Sequence, residues 1–354
     1  MDKIPLIGLT ERELEDVAVN LGMPRFVGRQ ICQWLYHKGA RTFDEMGNLS
    51  KKNKALLNER YCTGRTAPSA SQNSVDGTVK YLFPVAGGRY VESVYIPDKE
   101  RATLCVSSQS GCKMNCYFCA TGKMGFKSQL TSAEIINQIL SVPPVGPDGE
   151  PEMNPLTNVV FMGMGEPLDN FGAVKRVIDI LTSSWGLAWS PKRITVSTVG
   201  KMPELKDLLE NTQVHVALSV HTADSRERAA MMPAQKAFPL QNVMQLLAGY
   251  DFSHQRRLSF EYILFKGVND DARHGRALTR LLRGLDCRVN LIRFHAIPGS
   301  DLQPSSQRIM EEFRDRLNDD GITATIRASR GEDVSAACGM LAGKKSDSKN
   351  RAGI

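Results

Sequence analysis

Apolar positions along the 354-residue chain recur with two different periods, and the change-over falls near residue 75. Before it the spacing is helical. Thr10-Glu11-Arg12-Glu13 reads as a capping box opening a helix that carries Leu14, Val17 and Leu21. Val27, Ile31, Trp34 and Leu35 mark a second helix ending near Lys38-Gly39, and a third, about 51–61, presents Leu56 and Leu57 beside its lysines. Residues 75–100 alternate with period two around a Gly87-Gly88 turn, which predicts a β-hairpin. From Thr103 onward short apolar runs alternate with helical patterns. The strands are expected at Thr103–Ser107, Asn158–Met162, Arg193–Ser197, Val214–Val220, Leu258–Leu264 and Arg288–Ile292, with a seventh at Thr323–Ile326. Helices are expected near 131–141, 171–183, 202–210, 238–249, 271–285 and 306–318.

Repeated strand–helix units imply parallel strands joined by right-handed crossovers. The expected fold is therefore α/β: a partial (β/α)6 barrel with a small N-terminal helical domain and a β-hairpin extension. The expected boundaries are 1–72 for the helical domain, 73–100 for the hairpin, 101–341 for the barrel and 342–354 for a basic disordered tail. The helical domain reads either as an RNA-facing accessory or as a lid that only packs on the barrel.

Composition narrows the setting. A hydrophobic fraction of 42% with 23% charged residues is ordinary for a soluble globular protein. No apolar run approaches the roughly 20 residues needed to cross a bilayer. Met1-Asp2-Lys3-Ile4-Pro5 lacks the basic segment and apolar core of a signal peptide, so a cytoplasmic location is expected. There, eight cysteines argue for metal binding or catalysis over a disulfide framework. A net charge of +7 suits a polyanionic partner. The basic runs are Arg25 with Arg29, Lys51-Lys52-Asn53-Lys54, and the tail from Lys344 to Arg351, whose lysines by default only solvate it.

The cysteines carry the chemistry. Cys112, Cys116 and Cys119 form a Cys-x3-Cys-x2-Cys pattern with Phe118 before the last. Three thiolates so spaced can hold three irons of a four-iron cluster and leave the fourth open to a small molecule. The alternative is a structural zinc knuckle with Cys105 as fourth ligand, although zinc sites more often pair Cys-x2-Cys units some distance apart. The motif follows the first barrel strand, and barrel active sites sit at the C-terminal ends of the strands. After the second strand, Gly163-Met164-Gly165-Glu166-Pro167-Leu168 supplies glycines that let the backbone approach a ligand, and a carboxylate to accept from an ammonium group. Ser197 closes the third strand and Ser219-Val220-His221 the fourth, while His295 follows the sixth. Their hydroxyls and imidazoles can bond ribose hydroxyls or a carboxylate, or simply be satisfied loop groups. Cys338, in Ala336-Ala337-Cys338-Gly339, is either a buried filler or a nucleophile. With Cys105 it makes a candidate thiol pair in one cavity.

Taken together, these residues resemble the radical S-adenosylmethionine 23S ribosomal RNA (adenine-C2) methyltransferases of the dual-specificity RlmN/Cfr type. The resemblance covers nearly the whole chain: helical N-terminal domain, hairpin, cysteine motif, Gly-Met-Gly-Glu-Pro-Leu, Ser-Val-His and the Ala-Ala-Cys-Gly ending. The cysteine motif points only to the superfamily; Cys105, Cys338 and Glu92 narrow it to this family.

The resemblance implies a radical-SAM barrel in which Cys112, Cys116 and Cys119 ligate a [4Fe-4S] cluster with one open iron. Gly165, Glu166, Ser197, Ser219, Val220, His221 and His295 are then the S-adenosylmethionine contacts. Two S-adenosylmethionine molecules are used per turnover: one methylates Cys338, the other is cleaved reductively to a 5′-deoxyadenosyl radical that abstracts hydrogen from the S-methyl group. Cys105 resolves the protein–RNA adduct by forming a disulfide with Cys338, and Glu92 is the proton acceptor. The implied product is methylation at C2 of adenine 2503 in 23S rRNA and of adenine 37 in tRNAs. The implied partners are those RNAs and an electron donor such as flavodoxin or ferredoxin, with the enzyme a monomer and no membrane involved.

Three alternatives stand beside it: C8 methylation of the same ribosomal adenine, a non-enzymatic iron–sulfur or zinc RNA-binding protein, and a radical enzyme acting on protein or a small molecule. One departure is notable. Many family members have Trp-Asn-Pro after the sixth strand where this chain has Phe294-His295-Ala296, and the His295 imidazole is expected to keep the ligand contact. Cys32, Cys62 and Cys287 fall outside every motif and read as ordinary thiols.

Overall fold

The computed structural model describes residues 3–142, 155–254 and 256–343; of the expected basic tail, positions 344–354 lie outside the described residues. Three helices open the chain: α1 (Glu11–Asn20), α2 (Arg25–Tyr36) and α3 (Lys51–Arg60). The α1 capping box forms: the Thr10 hydroxyl accepts from the Glu13 amide and Glu13 Oε2 accepts from the Thr10 amide at 2.8 Å. Leu14, Ala18, Val27, Ile31 and Leu35 are buried where α1 meets α2. Two short parallel segments, Ile4–Pro5 and Tyr61–Cys62, fasten the two ends of this helical unit together. It docks on the barrel through Arg176 with Glu13, and through the Cys32 thiol, which donates to the Trp185 carbonyl at 3.4 Å.

Ten strands then form one sheet. They are β1 (Ala70–Asn73), β2 (Val79–Val85), β3 (Arg89–Asp98), β4 (Arg101–Cys105), β5 (Leu156–Phe161), β6 (Ile194–Thr198), β7 (His215–Ser219), β8 (Leu258–Leu264), β9 (Arg288–Arg293) and β10 (Thr323–Ile326). From β4 to β10 every neighbour is parallel and in chain order. Among the described residues strand β10 pairs only with β9, which leaves the barrel open. Helices α5 (Ser132–Leu140), α6 (Phe171–Thr182), α7 (Glu204–Asn211), α9 (Leu240–Leu247), α10 (Ala272–Leu282) and α11 (Gln307–Asp319) make the crossovers. A second capping box, Thr131 with Glu134, opens α5.

The hairpin is present and is continuous with the barrel. Strand β3 pairs antiparallel with β4, Val94 opposite Cys105, and carries β2 and β1 outward as further strands of the same sheet. That pairing starts β4 at Arg101, opposite Asp98, two residues before the periodicity of β4 alone suggested. Two short helices have no counterpart in the sequence pattern: α4 (Ala120–Lys123), directly after the cysteine motif, and α8 (Ser225–Met231). The seven residues of α8, Ser-Arg-Glu-Arg-Ala-Ala-Met, show no apolar stripe; Asp224 caps it by accepting from the Arg226 and Glu227 amides. Among the described residues no helix is long and apolar enough to cross a membrane.

Candidate active site

The C-terminal ends of the barrel strands converge on a cavity of about 150 Å³. Of the expected residues, Cys112, Cys116, Cys119, Gly165, Glu166, Ser197, Ser219, His221 and Cys338 all line it. A smaller cavity of about 80 Å³ adjoins and contains Cys105 together with Cys119 and Cys338. Cys338 is exposed and belongs to both walls, whereas Cys105 is buried. All eight cysteines are free thiols, so the implied Cys105–Cys338 disulfide is absent from this state.

The cysteine loop is tied to the chain's C-terminal segment. The Ala120 amide donates to the Gly339 carbonyl at 2.8 Å, and the Tyr117 amide to the Met231 carbonyl at 2.9 Å. Phe118 stands edge-on to His221, with ring centroids 4.8 Å apart, and packs on Phe265. Burial pushes the Cys112 thiol up to about 12, Cys116 well above its ordinary value, and Cys119 upward too, with neighbouring thiols and Glu166 adding to the shift for Cys112 and Cys116. Thiols so placed become thiolates only where a cation compensates them, and metal binding of this kind expels the protons. Among the described residues no three His, Cys, Asp or Glu side chains converge as ligands of one ion. A four-iron cluster does not require that, because each thiolate binds a separate iron. Two buried cysteines and a half-buried third around one cavity suit such a cluster.

Glu166 is 4% exposed. Burial pushes its carboxyl up to about 7 although Oε2 accepts from the Val199 amide at 3.1 Å and Oε1 from the Leu168 amide at 3.2 Å. His221 has φ +55° and is buried; Nδ1 accepts from the Ile263 amide at 3.0 Å, which puts its proton on Nε2. Burial and the Arg228 charge pull its pKa down to about 3, so the ring is neutral. The cavity thus offers a poised carboxylate, a neutral imidazole, hydroxyls and four thiols in a mostly apolar surround.

Two family models match the chain: the ribosomal RNA large subunit methyltransferase N-terminal domain over residues 4–63 and the radical SAM superfamily over residues 106–275. A solved radical SAM methyltransferase from Sphaerobacter thermophilus superposes with a TM-score of 0.90 at 38% identity, covering 96% of this chain and 100% of that one. A probable dual-specificity RNA methyltransferase RlmN of Bacteroides thetaiotaomicron is 55% identical, with 99% of each chain covered. The dual-specificity RNA methyltransferase RlmN of Syntrophotalea carbinolica is 39% identical over 97% of this chain and 90% of that protein. The chain belongs to the RlmN family of radical SAM RNA methyltransferases. The non-enzymatic alternative falls with that result. Membership of the RlmN family also implies a 4Fe-4S cluster and S-adenosylmethionine as cofactors.

Three residues that the resemblance to the RlmN family drew into the site stand outside both cavities. The Val220 side chain is in the hydrophobic core; its amide donates to the Glu261 carbonyl at 3.1 Å and its carbonyl accepts from Arg228 Nε at 3.3 Å. His295 turns to Ser329 Oγ, 3.2 Å from Nε2, and to Glu332, 3.7 Å from Nδ1. Glu92 is buried, held by Lys80 at 3.5 Å and by the Ala342 amide at 2.8 Å, one residue beyond Leu341 in the smaller cavity's wall. The glycines of the Gly-Met-Gly-Glu-Pro-Leu segment also have a packing cause beside the expected ligand approach. A Cβ on Gly165 (φ +101°) would lie 2.6 Å from Gln109 Cβ, and one on Gly163 2.7 Å from the Val106 carbonyl carbon. Both are needed for the chain leaving β5 to cross the chain leaving β4.

Sequence reading missed three charged residues that shape the site. Arg228 on α8 is fully buried and clamps the ends of β6 and β7, donating to the carbonyls of Val199 at 3.0 Å and Ser219 at 2.9 Å and to Gln235 Oε1 at 2.7 Å. Glu261 and Arg327 line the main cavity. Glu261 had a readable signal, since it is the one charge in an apolar strand buried throughout.

Proposed function

We propose that the protein methylates C2 of an adenine in 23S rRNA, and of an adenine in tRNA, through an S-methyl group carried by Cys338. The observation that supports this most is the position of Cys338 in the wall shared by the cysteine-loop cavity and the Cys105 cavity. Bound between Cys112, Cys116, Cys119 and the Glu166 rim, the cluster and two S-adenosylmethionine molecules would supply a methyl group and a hydrogen-abstracting radical. Such chemistry is needed because C2 is an electron-poor amidine carbon that does not attack a sulfonium. In this reading Glu166 accepts from the methionyl ammonium. The His221 Nε2–H, Ser197 and Ser219 offer further bonds to the cofactor, and Gly165 keeps that rim close to Gln109.

Cys338 accepts the methyl group. Once that carbon is bonded to the RNA, the Cys105 sulfur, in the same small cavity, gives up its proton and attacks the Cys338 sulfur. The S–C bond breaks with its electron pair on the RNA-bound methylene, which takes up a proton to become the methyl group, and a Cys105–Cys338 disulfide is left. Burial and the neighbouring Cys338 push the Cys105 thiol up to about 12, so it stays protonated until that step. Glu92 serves as proton acceptor after release from Lys80 and the Ala342 amide.

The domain roles follow: 1–72 binds RNA, 73–100 extends the sheet, and 101–341 is catalytic. Arg25 and Arg29 are paired with Glu15, at 2.9 and 2.7 Å, which leaves the exposed Lys51 and Lys52 as the better phosphate contacts. The target base must leave its stack to reach the cavity. The reaction draws electrons from a flavodoxin or ferredoxin, and the protein works as a cytoplasmic monomer. Reaction with unmodified ribosomal RNA, followed by nucleoside mass analysis, tests the reading. The expected product is 2-methyladenine; 8-methyladenine without it would sink the C2 assignment.

A further inference from the structure

Strand β8 is buried along its whole length, yet it carries a glutamate at its centre. Glu261 is 3% exposed and lines the main cavity. Its Oε1 accepts from Asn290 Nδ2 at 2.7 Å and from Ser259 Oγ at 3.0 Å. Asn290 is itself braced, its Oδ1 accepting from Thr325 Oγ1 at 3.2 Å, so three adjacent strands fix this carboxylate. Its Oε2 has no hydrogen-bond partner among the described residues. Arg327 Nη1 stands 3.6 Å from that oxygen, outside hydrogen-bond reach. A buried carboxylate oxygen is costly to leave unbonded. The pair faces the cavity, with 33% of the Arg327 side chain exposed. Arg327 also lines the Cys105 cavity, so the pair sits where the two cavities join beside Cys338.

An acceptor and a donor are thus held side by side in a mostly apolar pocket. The matching ligand edge is rigid and presents an N–H donor next to a ring-nitrogen acceptor. The exocyclic amine of adenine with its adjacent ring nitrogen is such an edge. We infer that Glu261 and Arg327 read an adenine, Oε2 accepting from the exocyclic amine and the guanidinium donating to the neighbouring ring nitrogen. Two adenines can present that edge here, the target nucleotide and that of S-adenosylmethionine. For the target base the inference rests on the function proposed above.

The test uses the whole, cluster-loaded protein, wild type, Glu261→Gln and Glu261→Ala. Two RNAs are compared, one with adenine at the target position and one with purine riboside, which lacks the amine. Wild type should prefer adenine in kcat/KM by about tenfold to a hundredfold. Glu261→Ala should lose most of that preference, while Glu261→Gln, which keeps an acceptor oxygen, should retain a good part of it. If the pair reads the cofactor instead, the base preference survives and S-adenosylmethionine affinity, measured by equilibrium dialysis, falls about tenfold in Glu261→Ala. Wild-type base preference together with wild-type cofactor affinity in Glu261→Ala would overturn the inference. So would equal losses on both RNAs with a lowered Tm in both variants, the mark of a merely structural pair. Methylation of Cys338 by S-adenosylmethionine without RNA is followed on the same samples. Its absence in wild type defeats the proposed methyl route and leaves the affinity arm to decide on the pair.

Discussion

The two walls of the cavity are built in opposite ways. The cluster wall comes from one stretch of chain, Cys112 to Cys119, whose spacing alone brings three thiols together. The other wall, shared with the adjoining small cavity, gathers Cys105 from β4, Glu261 from β8, Arg327 after β10 and Cys338 from the last described segment. The first wall depends on local chain geometry, and the second on the register of a whole open barrel. Chemistry shared across a superfamily sits on the local wall. The residues proposed to distinguish this enzyme are assembled by the fold.

If that division is right, damage to the two walls should look different. Cys116→Ala should remove bound iron and with it all 5′-deoxyadenosine formation, read by the cluster absorbance and by chromatography. Cys338→Ala should abolish methylated RNA just as fully while the cluster spectrum stays at wild-type intensity. Cys105→Ala should be less severe, slowing release and trapping a covalent RNA–protein adduct visible on a denaturing gel; normal turnover would disprove its assigned part.

Arg228 belongs to neither wall and supports both. Replacing it with Met leaves the carbonyls of Val199 and Ser219 without their donor, at a cost of about 3 kcal/mol, read as a lowered denaturation midpoint. The smallest effect concerns Glu166. Its folded pKa of about 7 lies above the ordinary 4.5, so the folded form holds a proton that the unfolded chain releases. This contribution to cofactor-free stability is present below pH 4.5 and is lost as pH rises to about 7. Conversely, S-adenosylmethionine, whose ammonium favours the carboxylate, should bind more tightly as pH rises through about 7. Glu166→Gln should flatten both dependences, as denaturation and dialysis at several pH values would show.

The same division explains what could be read in advance. Strand β8 was legible to the residue because Leu258–Leu264 is apolar but for Ser259 and Glu261 and follows the polar pair Arg256-Arg257. The cysteine motif and Glu166 were legible because each lies in a short, ordered pattern. Helix α8 was not, because it is mostly polar and only Arg228 and the terminal Met231 of its residues are buried. His295 was assigned to the site by analogy in sequence position; its imidazole meets Ser329 and Glu332, contacts set by a loop more than thirty residues away that no sequence pattern announced. Arg327 gave no signal of its own, since a basic residue just past a strand is ordinary. Only the closing of β10 onto β9 brings it beside the thiols.

The central claim is that Cys338 carries the methyl group. Protein with its cluster in place, incubated with methyl-deuterated S-adenosylmethionine and digested, gives a direct reading by mass spectrometry of the peptide containing Cys338. The expected result is one deuterated methyl group on Cys338, lost to the RNA when substrate and reductant are added. RNA that acquires the label while Cys338 stays unmodified throughout would contradict it.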